Sequence, residues 1–199
     1  MPRPLIPDRR ARILDATEAL VLERGFDAMS VQSIAGRVGI AKGAVYREFT
    51  SKNEILDELL RRAMTRMTRK SEALLGGQGR PPLSRAYAVG ARVLLDDRLM
   101  TAAFLDDRGV LGAYLDAVDD DRYRRRHRDV VAWIETLQRR GSLSRAVDAE
   151  ALALVLSSTT IGLLQAARHV GPVTEDDLHA AIETIGGLLR PLERADDDG

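Results

Sequence analysis

Cysteine is absent from the 199-residue chain, and histidine occurs only at His127, His169 and His179. The lack of cysteine excludes a disulfide framework, a cysteine-ligated zinc site and a cysteine nucleophile. The histidines form no HExxH motif and no other close pair with the spacing of metal ligands. We therefore expect neither a metal site nor a cofactor.

Long apolar runs are also missing. The first ten residues, MPRPLIPDRR, contain no apolar core of the length that a signal peptide needs. The longest uncharged stretch, residues 151–167, includes hydroxyl and amide side chains and falls short of the roughly 20 apolar residues of a membrane span. These absences predict a cytoplasmic protein with no membrane partner.

The whole chain has no excess of charge of either sign, because its 30 Lys and Arg residues balance its 30 Asp and Glu residues. The distribution is uneven, however. Residues 1–70 carry 14 basic and 9 acidic side chains, whereas residues 71–199 carry 16 and 21. A basic first third favours binding to a polyanion, although counting noise would explain the same imbalance.

Sustained alternation of apolar and polar residues, the pattern of a half-buried strand, does not occur. Apolar residues instead recur with helical spacing, and glycine or capping residues separate the periodic segments. The predicted helices cover approximately residues 8–24, 30–38, 41–49, 51–75, 83–96, 98–106, 110–118, 121–140, 148–169 and 174–192. This pattern predicts an all-α fold.

Residues 30–49 have the pattern of a helix-turn-helix, in which two short helices flank a glycine turn. Ala35 lies where the helices approach most closely, and Gly39 permits a positive φ in the turn. The outer face of the second helix would present Lys42, Gly43, Tyr46 and Arg47. Such a face is typical of a recognition helix in a DNA major groove. An ordinary helical hairpin with a solvated face would have the same spacing.

The surrounding residues carry a family resemblance. The sequences GFDAMSV at 25–31 and GIAKGAVY at 39–46, with Ile34-Ala35, Phe49 and Ser51-Lys52, resemble the DNA-binding domain of TetR-family transcriptional regulators. About residues 9–56 are covered. The resemblance implies a homodimer that binds a near-palindromic operator in double-stranded DNA and is released when a small-molecule effector enters the C-terminal domain. It also implies a helix-turn-helix domain at residues 1–50 and a helical effector-binding and dimerisation domain at residues 51–199.

By this resemblance the DNA-contacting positions are Ser30, Lys42, Gly43, Tyr46 and Lys52, and Arg47 occupies a position that varies with the operator. Two residues depart from the family pattern. Ala41 stands where Ser or Thr usually caps the recognition helix, so a backbone donor lacks its usual partner. Glu48 stands where a neutral or basic residue is usual, and phosphate would repel its carboxylate unless Arg47 or another cation pairs with it.

Residues 151–167 are apolar on nearly all faces and rich in small side chains. With residues 174–192 they resemble the two-helix half of the four-helix interface of a TetR dimer. A helix buried in the core of a single chain would have the same apolar pattern. The predicted interface residues are Leu156, Thr159, Gly162, Leu163, Ile182, Ile185 and Leu189.

Large side chains and isolated polar groups of the middle helices are candidates for an effector pocket, although plain core packing would also place them inside. These residues are Tyr87, Met100, Phe104, Tyr114, Trp133 and Thr159. Only eight aromatic residues occur in the chain, which disfavours a cage for a bulky cation and favours a smaller or aliphatic effector.

We therefore predict a ligand-responsive repressor and not an enzyme, because no nucleophile–base set and no glycine-rich phosphate loop occurs. Two alternatives remain: a ligand-blind or architectural DNA-binding protein of the same fold, and an enzyme with an incidental helix-turn-helix. The effector, the operator sequence, the target genes and the sign of regulation do not follow from the residues.

Overall fold

The computed structural model describes residues 8–76, 81–117, 121–169 and 173–193. Over those ranges the chain forms helices and no strand, apart from an isolated bridge between Leu143 and Glu193. The helices are α1 (Arg9–Ala28), α2 (Val31–Val38), α3 (Lys42–Tyr46), α4 (Lys52–Leu75), α5 (Leu83–Leu95), α6 (Arg98–Phe104), α7 (Arg108–Leu111), α8 (Tyr114–Ala117), α9 (Asp121–Arg139), α10 (Ala149–His169) and α11 (Glu175–Leu189). A 3₁₀ turn follows at Arg190–Leu192. The predicted all-α fold is confirmed.

Two glycines set helix boundaries that differ from the predicted ones. Gly25 has φ +78°, but the chain resumes helical geometry to Ala28, so α1 extends past the predicted end at residue 24. A Cβ at Gly25 would lie 2.5 Å from the carbonyl oxygen of Gly109, which leaves no room for a side chain. The single helix predicted at 110–118 is wrong, because Gly112 adopts φ +50° and separates α7 from α8.

The chain divides into two compact units. The N-terminal unit comprises Met1–Arg66 and Asp97–Val118, and the C-terminal unit comprises Met67–Asp96 and Asp119–Gly199. Helices α6, α7 and α8 therefore belong with the helix-turn-helix and not with the helices that follow them in sequence. The functional boundary predicted at residue 50 stays a prediction.

The core of the helix-turn-helix consists of apolar residues from α2 and α3 and from the turn after α3. Ile34, Ala35 and Val38 of α2 are buried against Val45 of α3, and Phe49 closes the cluster. Gly39 ends α2 in the left-handed region with φ +77°, as the turn requires. Each large side chain buried here contributes about 1.5–3 kcal/mol, so this small core holds α3 firmly against α2.

The core of the C-terminal unit draws on four helices. Helix α5 packs on α11, and α9 packs on α10. Tyr87 of α5, Ile134 of α9, Leu152 of α10 and Ile182 of α11 are all buried in one cluster. Apolar residues of all four helices thus share a single core.

Helix α10 is strongly apolar, although little of it is buried. The window Ala149–Ala166 has a mean hydropathy of 1.4, yet only 22% of it is buried within its own chain. By length and composition it could cross a membrane, which corrects the expectation that this stretch is too short and too polar. One helix of this kind is weak evidence for a membrane span.

Candidate nucleic-acid interface

The exposed face of α3 is the centre of the candidate interface. Lys42, Gly43, Tyr46 and Arg47 all lie on the surface, and the Tyr46 side chain is 48% exposed. The ammonium of Lys42 lies 5.8 Å from the centre of the Tyr46 ring. A Cβ at Gly43 would meet nothing within 4 Å, so another backbone can approach closely there. The four residues thus lie together on the exposed face, as the helical spacing predicted.

Arg47 follows α3 as its C-terminal cap residue, and its side chain has no ion pair or hydrogen bond to the part of the chain that the structure describes. Ala41 precedes α3 and makes no side-chain capping bond, as expected from the missing hydroxyl. Ala41 therefore provides no side-chain acceptor to the first backbone amides of α3.

Glu48 is neutralised by a residue other than its neighbour Arg47. Arg9 at the start of α1 donates from Nε to Oε1 of Glu48 at 2.8 Å, and its Nη2 lies 2.6 Å from the same oxygen. The guanidinium of Arg10 donates to the Glu48 carbonyl at 2.7 Å and lies 4.1 Å from the centre of the Phe49 ring. The Glu48 carboxylate thus connects the start of α1 to the end of α3, and Arg47 has no carboxylate partner in the described ranges.

Ser30 caps α2 through a reciprocal pair of bonds. Its Oγ accepts from the Ser33 amide at 3.0 Å, while the Ser33 Oγ accepts from the Ser30 amide at the same distance. Because the Ser30 hydroxyl accepts in this bond, its own proton can still be donated to a phosphate. The exposed side chain fits both roles.

Lys52 was expected to contact DNA, but its ammonium is hydrogen-bonded within the protein. Its ammonium donates to the carbonyls of Phe26 at 2.9 Å and Met29 at 3.2 Å, and it lies 4.0 Å from the centre of the Phe26 ring. Two of its three donors are therefore used within the protein. The phosphate contact stays a prediction, and the structure adds a second role, in which Lys52 joins the start of α4 to the end of α1.

Two carboxylates near this surface have pKa values below their ordinary range. A hydrogen bond from Arg37 lowers the pKa of Glu23, and the Thr50 hydroxyl and amide lower that of Glu54. Both carboxylates therefore remain charged at neutral pH. Arg37 pairs with Glu23 at 2.7 Å, whereas Lys42 and Arg47 have no carboxylate partner among the residues that the structure describes.

Residues 13–59 match the family model described as bacterial regulatory proteins, tetR family. Over these residues, which include the helix-turn-helix, the chain is similar to the proteins of that family. The model covers all of α2 and α3, together with most of α1 and the start of α4.

Curated relatives match mainly over the first part of the chain. The HTH-type transcriptional repressor KstR of Rhodococcus jostii is 35% identical over 99 residues, which are 48% of this chain and 45% of that protein. KstR2 of Mycobacterium tuberculosis is 43% identical over 56 residues, 28% of each chain. This chain thus spans less than half the length of these relatives.

Solved TetR-family structures share the fold over nearly the whole chain. A transcriptional regulator of the family from Rhodococcus sp. has a TM-score of 0.71 at 18% identity, covering 95% of this chain and 100% of that one. The ketosteroid transcriptional regulator KstR2 of Mycobacterium tuberculosis has a TM-score of 0.57 at 20% identity, covering 96% and 98%. At these identities the likeness concerns the fold alone.

The structure does not gather the effector-pocket candidates into one site within a unit. Tyr87, Trp133 and Thr159 belong to the C-terminal unit, whereas Met100, Phe104 and Tyr114 belong to the N-terminal unit. The Tyr87 hydroxyl lies 3.1 Å from Oγ1 of Thr160, and burial raises the pKa of Tyr87. The Tyr114 hydroxyl donates to Asp57 at 2.6 Å. Both tyrosines are packed and hydrogen-bonded, and an effector contact for the six residues stays a prediction.

The predicted dimer residues divide by burial. Leu156, Ile182 and Leu189 are buried in the core of their own unit, and a contact of these residues with a second chain stays a prediction. Gly162 is exposed, whereas Thr159, Leu163 and Ile185 are partly buried.

Sequence reasoning missed the apolar residues that are most exposed on α10 and α11. Leu154, Val155 and Leu188 are 60%, 56% and 73% exposed. Because α10 is apolar on nearly every face, its sequence gives no polar stripe from which to tell the outer side from the inner.

Proposed function

We propose that the protein is a transcriptional repressor that binds a two-fold DNA operator as a homodimer and releases it when a small-molecule effector binds. The observation that carries this proposal is the exposed face of α3 in a helix-turn-helix that matches the tetR family model. This face presents an aromatic hydroxyl and two cations that have no carboxylate partner within the described ranges. The repressor names of the KstR relatives support the same direction of regulation. We place the protein in the cytoplasm and expect it to act through binding alone, without a catalytic step.

On DNA, each α3 would enter a major groove and divide its contacts between phosphates and bases. Lys42 and Tyr46 are suited to phosphate oxygens because each offers a donor without a fixed planar geometry. Arg47 is suited to guanine, since its fork can donate to O6 and N7 together. The Arg9–Glu48 pair supports this assignment by keeping the neighbouring carboxylate away from Arg47.

The dimer would form through the outer faces of α10 and α11. Leu154, Val155 and Gly162 share the exposed side of α10, where successive residues of a helix are about 100° apart. Leu188 adds an exposed apolar side chain from α11. A second copy of the chain would remove these side chains from water, and a two-fold arrangement would place two recognition helices about one helical turn of DNA apart.

Effector release needs a mechanical link to the helix-turn-helix, and α7 and α8 would provide its last step. The carboxylate of Asp27, two residues beyond Gly25, accepts from the Ala113 amide at 2.9 Å. Gly25 itself packs against the Gly109 backbone. A shift of Gly109 or Ala113 would therefore move the end of α1, which leads directly into Ser30 and α2.

The proposal is tested by footprinting genomic DNA bound to the purified protein, followed by titration of one bound fragment. We expect a dyad-symmetric site, which the double variant Lys42→Ala/Arg47→Ala no longer binds. Arg140→Ala is the control, because Arg140 is an exposed cation of the C-terminal unit. Binding that lacks dyad symmetry, or that survives the double substitution, would contradict the proposal.

Release of DNA by a small-molecule effector is tested in a separate experiment. A metabolite library is screened for compounds that both raise the melting temperature and weaken operator binding, since a ligand that favours the unbound state must lower DNA affinity by its coupling free energy. Operator binding with no such compound would instead support a ligand-blind regulator of the same fold.

A further inference from the structure

A groove runs between α5 and α11 in the C-terminal unit, with a cavity volume of about 400 Å³. Each helix contributes residues spaced three, four and seven positions apart, which is one face of a helix. On α5 this face runs from Arg85 through Ala88 and Val89 to Arg92, and on α11 and the following turn it runs from Glu183 through Gly186 and Gly187 to Arg190. Small or apolar residues therefore line the middle, and charged residues stand at the ends.

The glycines explain why the groove is open. A Cβ at Gly186 would lie 3.2 Å from the Ser84 carbonyl oxygen, so the two helices approach closely at this point. At Gly187 a Cβ would meet nothing within 4 Å. The close approach at one glycine and the missing side chain at the next leave a channel that a longer residue would fill.

The two ends of the groove differ in charge. Arg92 pairs with Glu183 at 2.8 Å, so their charges cancel at one end. Since Glu183 meets Arg92 while Gly186 meets Ser84 and Ala88, the helices run antiparallel. Arg85 and Arg190 consequently share the opposite end.

This second end carries two guanidinium groups. Arg85 donates to the Leu74 carbonyl at 3.3 Å, and neither Arg85 nor Arg190 has a carboxylate partner in the described parts of the chain. The nearby carboxylate of Glu193 accepts from the Ser84 amide at 2.6 Å. These guanidiniums stand out because residues 71–199 as a whole are acidic.

We infer that this groove binds an amphipathic organic anion, with its carboxylate or phosphate head group at Arg85 and Arg190 and its aliphatic part along Ala88, Val89 and Gly187. Guanidinium groups bind both head groups through paired N–H donors. The volume falls within the roughly 300–1,000 Å³ of small-molecule sites. Arg92 follows Arg85 by seven positions of helix, a rise of about 10 Å that suits an octyl chain.

None of the six effector-pocket residues that the sequence indicated lines this groove. It also lies on a different side of α11 from Leu188, which is five residues and therefore about 140° around the helix from Glu183. Ligand in the groove and a second copy of the chain on the Leu188 side can therefore be accommodated together. The inference goes beyond the proposed function and is measured without DNA, so either can fail alone.

Calorimetric titration of the full chain with octanoate and with octyl phosphate tests the inference, with octanol as the uncharged control. We expect at least one of the two anions to bind and octanol to bind much more weakly. Binding of only one anion identifies the head group. Absence of binding for both anions at millimolar concentration, or equal binding of octanol, overturns the inference.

Four variants locate the site. Arg85→Ala and Arg190→Ala should each weaken binding about tenfold, as expected for one charge-assisted hydrogen-bonded contact. Gly187→Leu should abolish binding by filling the channel, and circular dichroism checks that this variant folds. Arg145→Ala, which removes an exposed arginine elsewhere in the unit, should bind as the original chain does. Unchanged affinity in the Arg85→Ala/Arg190→Ala double variant overturns the inference whether or not Gly187→Leu folds.

Discussion

The hydroxyl of Tyr114 donates to Oδ1 of Asp57 at 2.6 Å and so ties α8 to α4 inside the N-terminal unit. The ring of Tyr114 is buried and meets Phe26 edge-on, with the ring centres 5.6 Å apart. One side chain therefore contacts α4 through its polar end and the end of α1 through its ring. Tyr114 therefore joins α8 and α4 to the end of α1, the helix that precedes α2.

Tyr114→Phe should keep the ring packing and remove only the hydrogen bond. We expect a loss of about 1–2 kcal/mol in the free energy of unfolding, since the hydroxyl bonds to a charged group. Thermal denaturation measures this as a melting temperature lower by several degrees. Tyr46→Phe is the matched control, because Tyr46 is exposed and its loss of a hydroxyl should leave stability unchanged.

Arg47→Ala should weaken operator binding by about 1–3 kcal/mol and relax the preference at one base pair in each half-site. The reason is that Arg47 is free to reach the bases while Arg9 holds Glu48. Lys42→Ala should instead weaken binding to all sequences alike and reduce the salt slope by about one per monomer contact. Titrations against operator and random DNA at several salt concentrations separate the two effects. Equal losses on both DNAs for Arg47→Ala would make it a phosphate contact.

Lys52→Met should destabilise the protein even in the absence of DNA. The variant keeps the apolar stem but removes the donor from the carbonyls of Phe26 and Met29, at a cost of about 1–3 kcal/mol. Chemical denaturation measures this loss, and Lys42→Met serves as the control because Lys42 is exposed on α3. If both variants unfold at the same denaturant concentration, the internal role of Lys52 is wrong.

Gly162→Glu and Leu154→Glu should each yield a folded monomer that binds the operator weakly. Both positions lie on the exposed face of α10, and a Cβ at Gly162 would meet nothing within 4 Å, so the charge disturbs only a partner chain. Leu156→Glu should instead unfold the C-terminal unit, because Leu156 is buried in its own core. Sedimentation and circular dichroism distinguish the cases. A dimer that persists in both surface variants would contradict the proposed interface.

The sequence was sufficient for the helix-turn-helix because local rules determine that segment. A capping serine at Ser30, a left-handed turn at Gly39 and a small residue at Ala35 each have one physical reason to be where they are. The same rules located the exposed side chains of α3. Phe49 closes the small core as its apolar character indicates.

Long-range contacts account for the parts that sequence reasoning missed. The break between α7 and α8 occurs at Gly112, where a Cβ would collide with the carboxylate of Asp27, far away in sequence. Arg9 and Glu48 are likewise 39 positions apart, and nothing in either segment indicates that they pair. On α10 the difficulty is to tell the exposed face from the buried one. The apolar character of a residue such as Leu154 does not indicate that its side chain is exposed.

If the proposed dimer forms, the apolar outer face of α10 would also affect how DNA occupancy depends on the amount of protein in a cell. If monomers must pair through Leu154 and Val155 before an operator can be held at both half-sites, the binding-competent species grows with the square of monomer concentration while monomers predominate. Occupancy then rises more steeply than in proportion to expression. The packing of one weakly buried helix would thereby set a threshold in copy number for repression.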